Sequence, residues 1–231
     1  MIVIPARNEG PRVGAVVRAA RAAVPDMDIV VVANASTDDT AEQARRAGAI
    51  VLTSTAPGYA RALRLGFDLA LARGASRVVQ MDADGQHPAE AVPGLLEALE
   101  RADVVVGSRF VAPVGYVMPP LRRAAVRALG AWATVCAGAP LRDVTSGLRA
   151  WRAPALAAML PDFPTDVADA NLLVRAVRRG YRVAEVPVAM RARSGGRSQH
   201  GGPASVMFAA RMVALTAREA WATGPLRELR G

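Results

Sequence analysis

Two carboxylates and an amide recur at alternate positions in Met81-Asp82-Ala83-Asp84-Gly85-Gln86-His87, which follows the strand-like run Val78-Val79-Gln80. Alternate residues at a strand end point to one side, so Asp82, Asp84 and Gln86 can converge on one cation. Hard divalent ions such as Mg²⁺ or Mn²⁺ take oxygen ligands and leave positions open for phosphate oxygens, which suits a metal-bound nucleoside diphosphate. The same residues also serve a plain turn, with the aspartates capping a helix that starts near Pro88. His87 belongs to that turn and reads as a capping or supporting residue rather than a direct ligand.

A second polar cluster, Asn34-Ala35-Ser36-Thr37-Asp38, follows the apolar run Val31-Val32-Ala33 and opens a helical pattern. It can read a base or a ribose, or it can be a helix start with Ser36 or Thr37 as cap. The stretch Pro5-Ala6-Arg7-Asn8-Glu9 places another polar edge after the first apolar run. The two edges would lie at neighbouring strand ends.

The elements that must position these residues alternate along the chain. Apolar, β-rich runs at 2–5, 29–33, 49–53, 77–81 and 104–107 are separated by helical patterns at 11–24, 38–47, 59–73 and 88–101. Strand–helix alternation with nearly unbroken apolar strands predicts a mostly parallel, Rossmann-like α/β sheet with helices on both faces. In such sheets ligands sit at the carboxyl ends of the strands, where both motifs fall. After residue 111 the pattern changes. A Pro- and Gly-bearing loop leads to a long Arg/Ala helix from about 121, then to Asp143-Val144-Thr145-Ser146-Gly147 before another β-like run, a helix at 167–179, a strand-like run at 181–189, a polar loop at 191–202 and a final helix at 203–223. The pattern divides the chain into a nucleotide-binding half at 1–111, an acceptor-side half at 112–202 and a C-terminal amphipathic segment at 203–231.

With 231 residues and 52% apolar content the chain can bury a full core, and a disordered tail is excluded. The 29 basic and 20 acidic residues leave a formal charge of +9, which calls for anionic partners. All 29 are arginine. The absence of lysine removes a Walker-type phosphate loop and Schiff-base chemistry together. A basic nucleic-acid-binding protein is a competing reading, but the arginines are scattered, aromatics make up only 4% of the chain and no nucleic-acid motif is present, so no nucleic-acid partner is expected. The single Cys136 lies in an apolar run and reads as a buried thiol, which fits a reducing, cytoplasmic compartment. The first apolar run is too short for a signal peptide, and no segment reaches the ~18 apolar residues of a spanning helix.

The order of motifs resembles the large inverting family 2 glycosyltransferases of GT-A fold that include the dolichyl- and polyprenyl-phosphate sugar synthases. The resemblance rests on six pieces between residues 2 and 202: Val3-Ile4-Pro5-Ala6-Arg7-Asn8-Glu9, Asn34-Ala35-Ser36-Thr37-Asp38, Asp82-Ala83-Asp84-Gly85-Gln86-His87, Gly107-Ser108-Arg109-Phe110, Asp143-Val144-Thr145-Ser146-Gly147-Leu148-Arg149 and Arg193-Ser194-Gly195-Gly196-Arg197-Ser198. It implies a nucleotide-diphosphate sugar donor, a Mg²⁺ or Mn²⁺ ion on Asp82, Asp84 and Gln86, and inversion in one displacement. It also implies nucleotide contacts from Pro5, Ala6, Arg7, Glu9, Asn34, Ser36 and Asp82. Phosphate contacts are implied for Arg109, Arg122, Arg193 and Ser198, on guanidinium forks that bind phosphate oxygens in pairs. Two positions depart from the family pattern: Ala33, Asn34 and Ala35 replace its usual acidic pair and glycine, and Val126 and Arg127 stand where a serine usually follows the arginine of the acceptor helix.

The acceptor divides the possibilities. A polyprenyl phosphate is already ionised, whereas a soluble hydroxyl acceptor needs a base, for which Asp169 is the candidate. Asp169 reads equally well as an acid favoured by a helix N-terminus. The final helix mixes Met207, Phe208, Met212, Leu215 and Trp221 with Arg211 and Arg218 on one face. That pattern fits a helix lying on the inner face of the cytoplasmic membrane or one packed on its own domain. Arg122, Arg123 and Arg127 add basic charge nearby. His200 is a further candidate metal ligand, and Trp132 and Trp151 read as core or acceptor-wall residues, core first.

Overall fold

The computed structural model describes residues 1–112, 118–191 and 203–222, with the side chains of the last segment described from 207 onward. The first half alternates as its pattern predicts: β1 (Ile2–Ala6), α1 (Gly10–Ala23), β2 (Ile29–Asn34), α2 (Thr40–Arg46), β3 (Ile50–Ser54), α3 (Tyr59–Ala72), β4 (Arg77–Gln80), α4 (Val92–Ala98) and β5 (Val104–Ser108). There follow α5 (Pro120–Ala137), β6 (Arg149–Arg152), α6 (Ala153–Met159), α7 (Ala170–Arg178), β7 (Val183–Pro187) and α8 (Pro203–Ala222).

The seven strands form one sheet in the order β3-β2-β1-β4-β6-β5-β7, so strands from both sides of residue 111 share it. All neighbours are parallel except β6, which runs antiparallel to both β4 and β5. Because the chain leaves β1 toward β2 on one side and returns to β4 on the other, the sheet has a switch point between β1 and β4. A crevice opens there at the carboxyl ends.

Alternation along the strands builds two cores. Val3, Val30 and Val32 face α3, α5, α6, α7 and α8, with Phe67, Trp151 and Met212 in the same layer. Ile2, Ile4, Ile29 and Val31 face α1, α2 and α4. Strands covered on both faces carry no polar alternation, which is why they read as continuous apolar runs.

Three expectations change. The helix expected at 88–101 is broken into a 3-10 turn, Ala89–Ala91, and α4, with Pro93 in the first turn of α4. A proline lacks the N–H needed to continue a helix through that point. The helix expected from 167 starts at Ala170, because Asp169 takes a non-helical backbone and its carbonyl accepts from Arg149. Trp132 is partly exposed rather than core, and its Nε1 donates to Thr216 Oγ1 at 2.9 Å. Trp151 and Cys136 are buried as expected, and burial raises the Cys136 thiol pKa.

Candidate active site

A cavity of about 540 Å³ lies at the carboxyl ends of β1, β2, β4 and β5. Its wall carries Pro5, Ala6, Arg7 and Glu9 from the β1 end, Asn34 from β2, Asp82, Asp84 and Gln86 from the β4 turn, and Arg109, Arg122 and Asp169 from the second half of the chain. Ser36 is the exception among the described candidates and is not on this wall. Its Oγ accepts from the Asn8 N–H at 3.1 Å, which ties the turns after β1 and β2 together. Asn8 Oδ1 in turn accepts from Thr37 N–H at 2.8 Å. Arg193, Ser198 and His200 lie outside the described residues.

Asn34 is 4% exposed, and its Oδ1 is buried without a hydrogen-bond partner. A buried acceptor left unmatched costs ~1–3 kcal/mol, so a cavity-lining one is suited to an N–H donor arriving with a ligand. The turn that carries it is tight. Ala35 sits at φ +48 with its N–H held by Ser54 O at 2.7 Å.

Asp82 is gripped from three directions. The Tyr59 hydroxyl donates to its Oδ1 at 2.8 Å, His87 Nε2 stands 3.7 Å from its Oδ2, and Gly147 packs so closely that a Cβ there would lie 2.7 Å from Oδ2. His87 Nδ1 accepts from the Asp82 backbone N–H at 2.9 Å, so the ring proton resides on Nε2 and faces the carboxylate. His87 thus supports the turn rather than offering a lone pair to a metal. Burial, followed by the nearby Asp82 charge, raises the Tyr59 pKa well above the ordinary phenol value. Asp84 Oδ1 accepts from Gln86 N–H at 3.0 Å, across a turn that Gly85 allows at φ +78.

These donors fit a hard divalent ion. They are carboxylate oxygens at the wall of a cavity large enough for a whole ligand with its phosphates. Among the described residues no group of three or more His, Cys, Asp or Glu could hold a metal by itself. A site with two protein carboxylates leaves the remaining positions to diphosphate oxygens and water, as Mg²⁺ and Mn²⁺ require.

On the opposite wall, Arg109 clamps Asp143 with Nε and Nη2 at 2.7 and 2.6 Å and also donates to Thr145 Oγ1 at 2.8 Å. Its charge therefore reaches the cavity as half of a neutral pair. Arg7 and Arg122 line the cavity with no ion pair among the described residues.

Asp169 faces the cavity and pairs with Arg149, a fully buried guanidinium, at 3.0 Å. The same guanidinium donates to the carbonyls of Val144, Ser146 and Asp169 and so ties the 144–146 loop to the start of α7. Burial raises the Asp169 pKa to about 6, against the lowering effect of Arg149.

Tyr59, Arg149, Asp143 and Thr145 form contacts that sequence reasoning did not assign. The last three lie within or beside a quoted motif, so their spacing was visible while their partners were not. Tyr59 carried no signal beyond opening a helix.

Comparison with known proteins places these features in context. The family model described as Glycosyl transferase family 2 matches residues 1–132. An undecaprenyl-phosphate mannosyltransferase of Micrococcus luteus is 34% identical over 212 residues, covering 87% of each chain. A polyprenol monophosphomannose synthase of Mycolicibacterium smegmatis is 33% identical, over 87% of this chain and 81% of that one. Among solved structures, glucosyl-3-phosphoglycerate synthase from Mycobacterium tuberculosis with Mn²⁺, uridine diphosphate and phosphoglyceric acid superposes with a TM-score of 0.66 at 20% identity, covering 95% of this chain and 78% of that one.

Proposed function

The chain belongs to glycosyl transferase family 2 and is a glycosyltransferase of GT-A fold, and from that we propose that it moves a hexose from a nucleotide-diphosphate sugar to a polyprenyl phosphate, with inversion. The β1 and β2 turns, with the unmatched Asn34 Oδ1, would take the nucleotide. Asp82 and Asp84, with Gln86 beside them, would hold Mg²⁺ or Mn²⁺, which when bound offsets the charge of the leaving diphosphate. Arg7 and Arg122 would add charge-assisted hydrogen bonds to phosphate oxygens. An acceptor phosphate oxygen attacks the anomeric carbon, the bond from that carbon to the diphosphate oxygen breaks, and its electron pair leaves with the nucleoside diphosphate. No proton has to be removed from the acceptor.

The observation that carries the lipid acceptor is the side of the cavity formed by α5 and α8. Arg122 and Phe208 line it, and beside them Leu121 and Met207 are 85% and 73% exposed. Neither α5 nor α8 carries an exposed carboxylate, since α5 has no acid and the Glu219 of α8 is buried against Arg175 at 2.5 Å. A phosphate in the cavity could therefore trail its chain over an apolar, arginine-bordered face, which we assign to the inner membrane surface. The inner side of α8 packs on its own domain through Met212, Thr216 and Glu219. No described helix is long and apolar enough to cross a membrane.

The test supplies undecaprenyl phosphate with radiolabelled UDP-, GDP- and dTDP-hexoses, with and without Mn²⁺. A butanol-extractable, metal-dependent product is expected from one donor. If none forms with any donor while a soluble acceptor is glycosylated, the lipid acceptor is wrong. Asp169 favours that second reading, because a cavity carboxyl with a pKa near 6 suits a general base for a hydroxyl acceptor. Asp169→Asn separates the two: turnover within about tenfold supports the phosphate acceptor, and a loss of ~10²–10⁴ supports the hydroxyl.

A further inference from the structure

Two carboxylates of the cavity wall, Asp82 and Asp169, and one buried behind it, Asp143, are anchored by side chains of different charge. Asp143 is clamped by Arg109 and Asp169 is paired with Arg149, so each is matched by a cation. Asp82 instead receives its 2.8 Å hydrogen bond from a phenol. A neutral donor fixes the direction of a carboxylate and leaves the pair with a net negative charge, whereas a guanidinium cancels it. The difference separates carboxylates that brace the fold from one available to a cation.

We propose that Tyr59 is a positioning residue for donor binding: its hydroxyl sets the orientation in which Asp82 meets the metal–diphosphate. This rests on the reading of Asp82 as a cation-binding carboxylate. Tyr59 is the first residue of α3 and follows Gly58, whose φ of +145 turns the chain so that the ring enters the cavity wall. Its oxygen also accepts from Gln80 Nε2 at 3.1 Å. Gln80 and Asp82 are alternate residues at the end of β4, so one phenol bridges both. A phenol that accepts one hydrogen bond donates a stronger one, and Gln80, 1% exposed, holds it in that state. On the other oxygen, His87 and Gly147 close the space into which the carboxylate would otherwise rotate. The aspartate is thus held from α3, from its own turn and from the 145–147 loop.

The experiment is calorimetric titration of UDP and GDP into the wild type and Tyr59→Phe, each with and without Mn²⁺. For the nucleotide that the wild type binds, Tyr59→Phe should keep the metal-free affinity and the thermal midpoint. The tightening produced by Mn²⁺ should fall by about tenfold, the order expected for one hydrogen bond to a charged group. Gln80→Leu keeps the phenol and removes its donor, so it should lower the same tightening by a smaller factor. It also provides the test if Tyr59→Phe does not fold. Undiminished Mn²⁺ tightening in either variant overturns the proposal. So does an equal loss with and without metal, which would make Tyr59 a piece of nucleotide wall. A wild type whose nucleotide affinity ignores Mn²⁺ overturns the cation-site reading itself, an outcome distinct from a failure of Tyr59 alone.

Discussion

The guanidinium of Arg149, sealed from solvent beneath the cavity, donates to the Asp169 carboxylate at 3.0 Å and to the Asp169 carbonyl at 3.1 Å. The pair joins the loop before β6 to the start of α7 and so shapes the second-half wall of the cavity. Removing one partner of such a pair leaves a buried charge uncompensated. Asp169→Ala should therefore lower the unfolding free energy by about 3 kcal/mol, while Asp169→Asn, which keeps an oxygen acceptor for the guanidinium and has no carboxyl to ionise, should be at least as stable as the wild type at pH 7. Urea unfolding at pH 7 checks both. An alanine variant as stable as the wild type would mean that water or a neighbour already satisfies Arg149.

The same residue gives a pH dependence. Its pKa rises from 3.8 to about 6 on folding, burial being the largest cause, so between those values the folded state holds a proton that the unfolded state has released. Stability then falls as pH rises through this window and levels off above it, by on the order of 3 kcal/mol for a shift of this size. Other carboxylates contribute opposite slopes. The readout is accordingly the difference between wild type and Asp169→Asn, followed by unfolding at intervals from pH 4 to 7. A flat difference would show that Asp169 titrates alike in both states.

Much of the cavity wall built by the ends of β1, β2 and β4 was legible because its geometry is local. Asp82, Asp84 and Asn34 follow apolar strands, and a strand end in a parallel sheet fixes where such residues point. Elements whose form depends on distant partners were less legible. β6 is a four-residue strand inserted antiparallel between β4 and β5, a placement that no local pattern states. The start of α7 is delayed to Ala170 by Arg149, a residue 20 positions earlier. Arg109 reads as a phosphate ligand in sequence, and only the fold reveals Asp143 already in its fork. Tyr59 met Asp82 across 23 positions and two elements.

Ala35 shows how a departure from the family pattern acquires a physical meaning. At φ +48 it adopts the left-handed conformation that costs an L-residue ~1–2 kcal/mol, and a glycine, the usual residue there, would avoid that cost. The greater chain entropy of glycine offsets roughly half of the gain. Ala35→Gly should therefore raise stability by about 0.5–1 kcal/mol, measurable as an increased urea midpoint with an unchanged slope. The substitution adds no group near Asn34, so nucleotide affinity should stay within about twofold. A destabilised variant would show that the Ala35 methyl group packs usefully in the turn.

On α5 the exposed residues Leu121, Ala125, Ala128, Trp132 and Val135 fall at spacings of four and three, which places them along one stripe of the helix. Met207, Ala210, Ala214 and Trp221 continue exposed apolar surface on α8, which packs beside α5, and Trp221 is 89% exposed. Two copies of this chain meeting through that surface would bring Arg122, Arg123 and Arg127 toward their like-charged counterparts, with no exposed acid on either helix to relieve them. An anionic lipid surface relieves them directly, at ~1 kcal/mol per arginine near the headgroups, while the apolar stripe enters the interface. The protein should thus co-sediment with vesicles containing phosphatidylglycerol and much less with pure phosphatidylcholine. Leu121→Glu with Val135→Glu should abolish co-sedimentation and leave nucleotide binding intact, since neither side chain lines the cavity. Equal binding to neutral vesicles, or a stable dimer in solution that the double variant dissolves, would assign this face to something other than an anionic membrane.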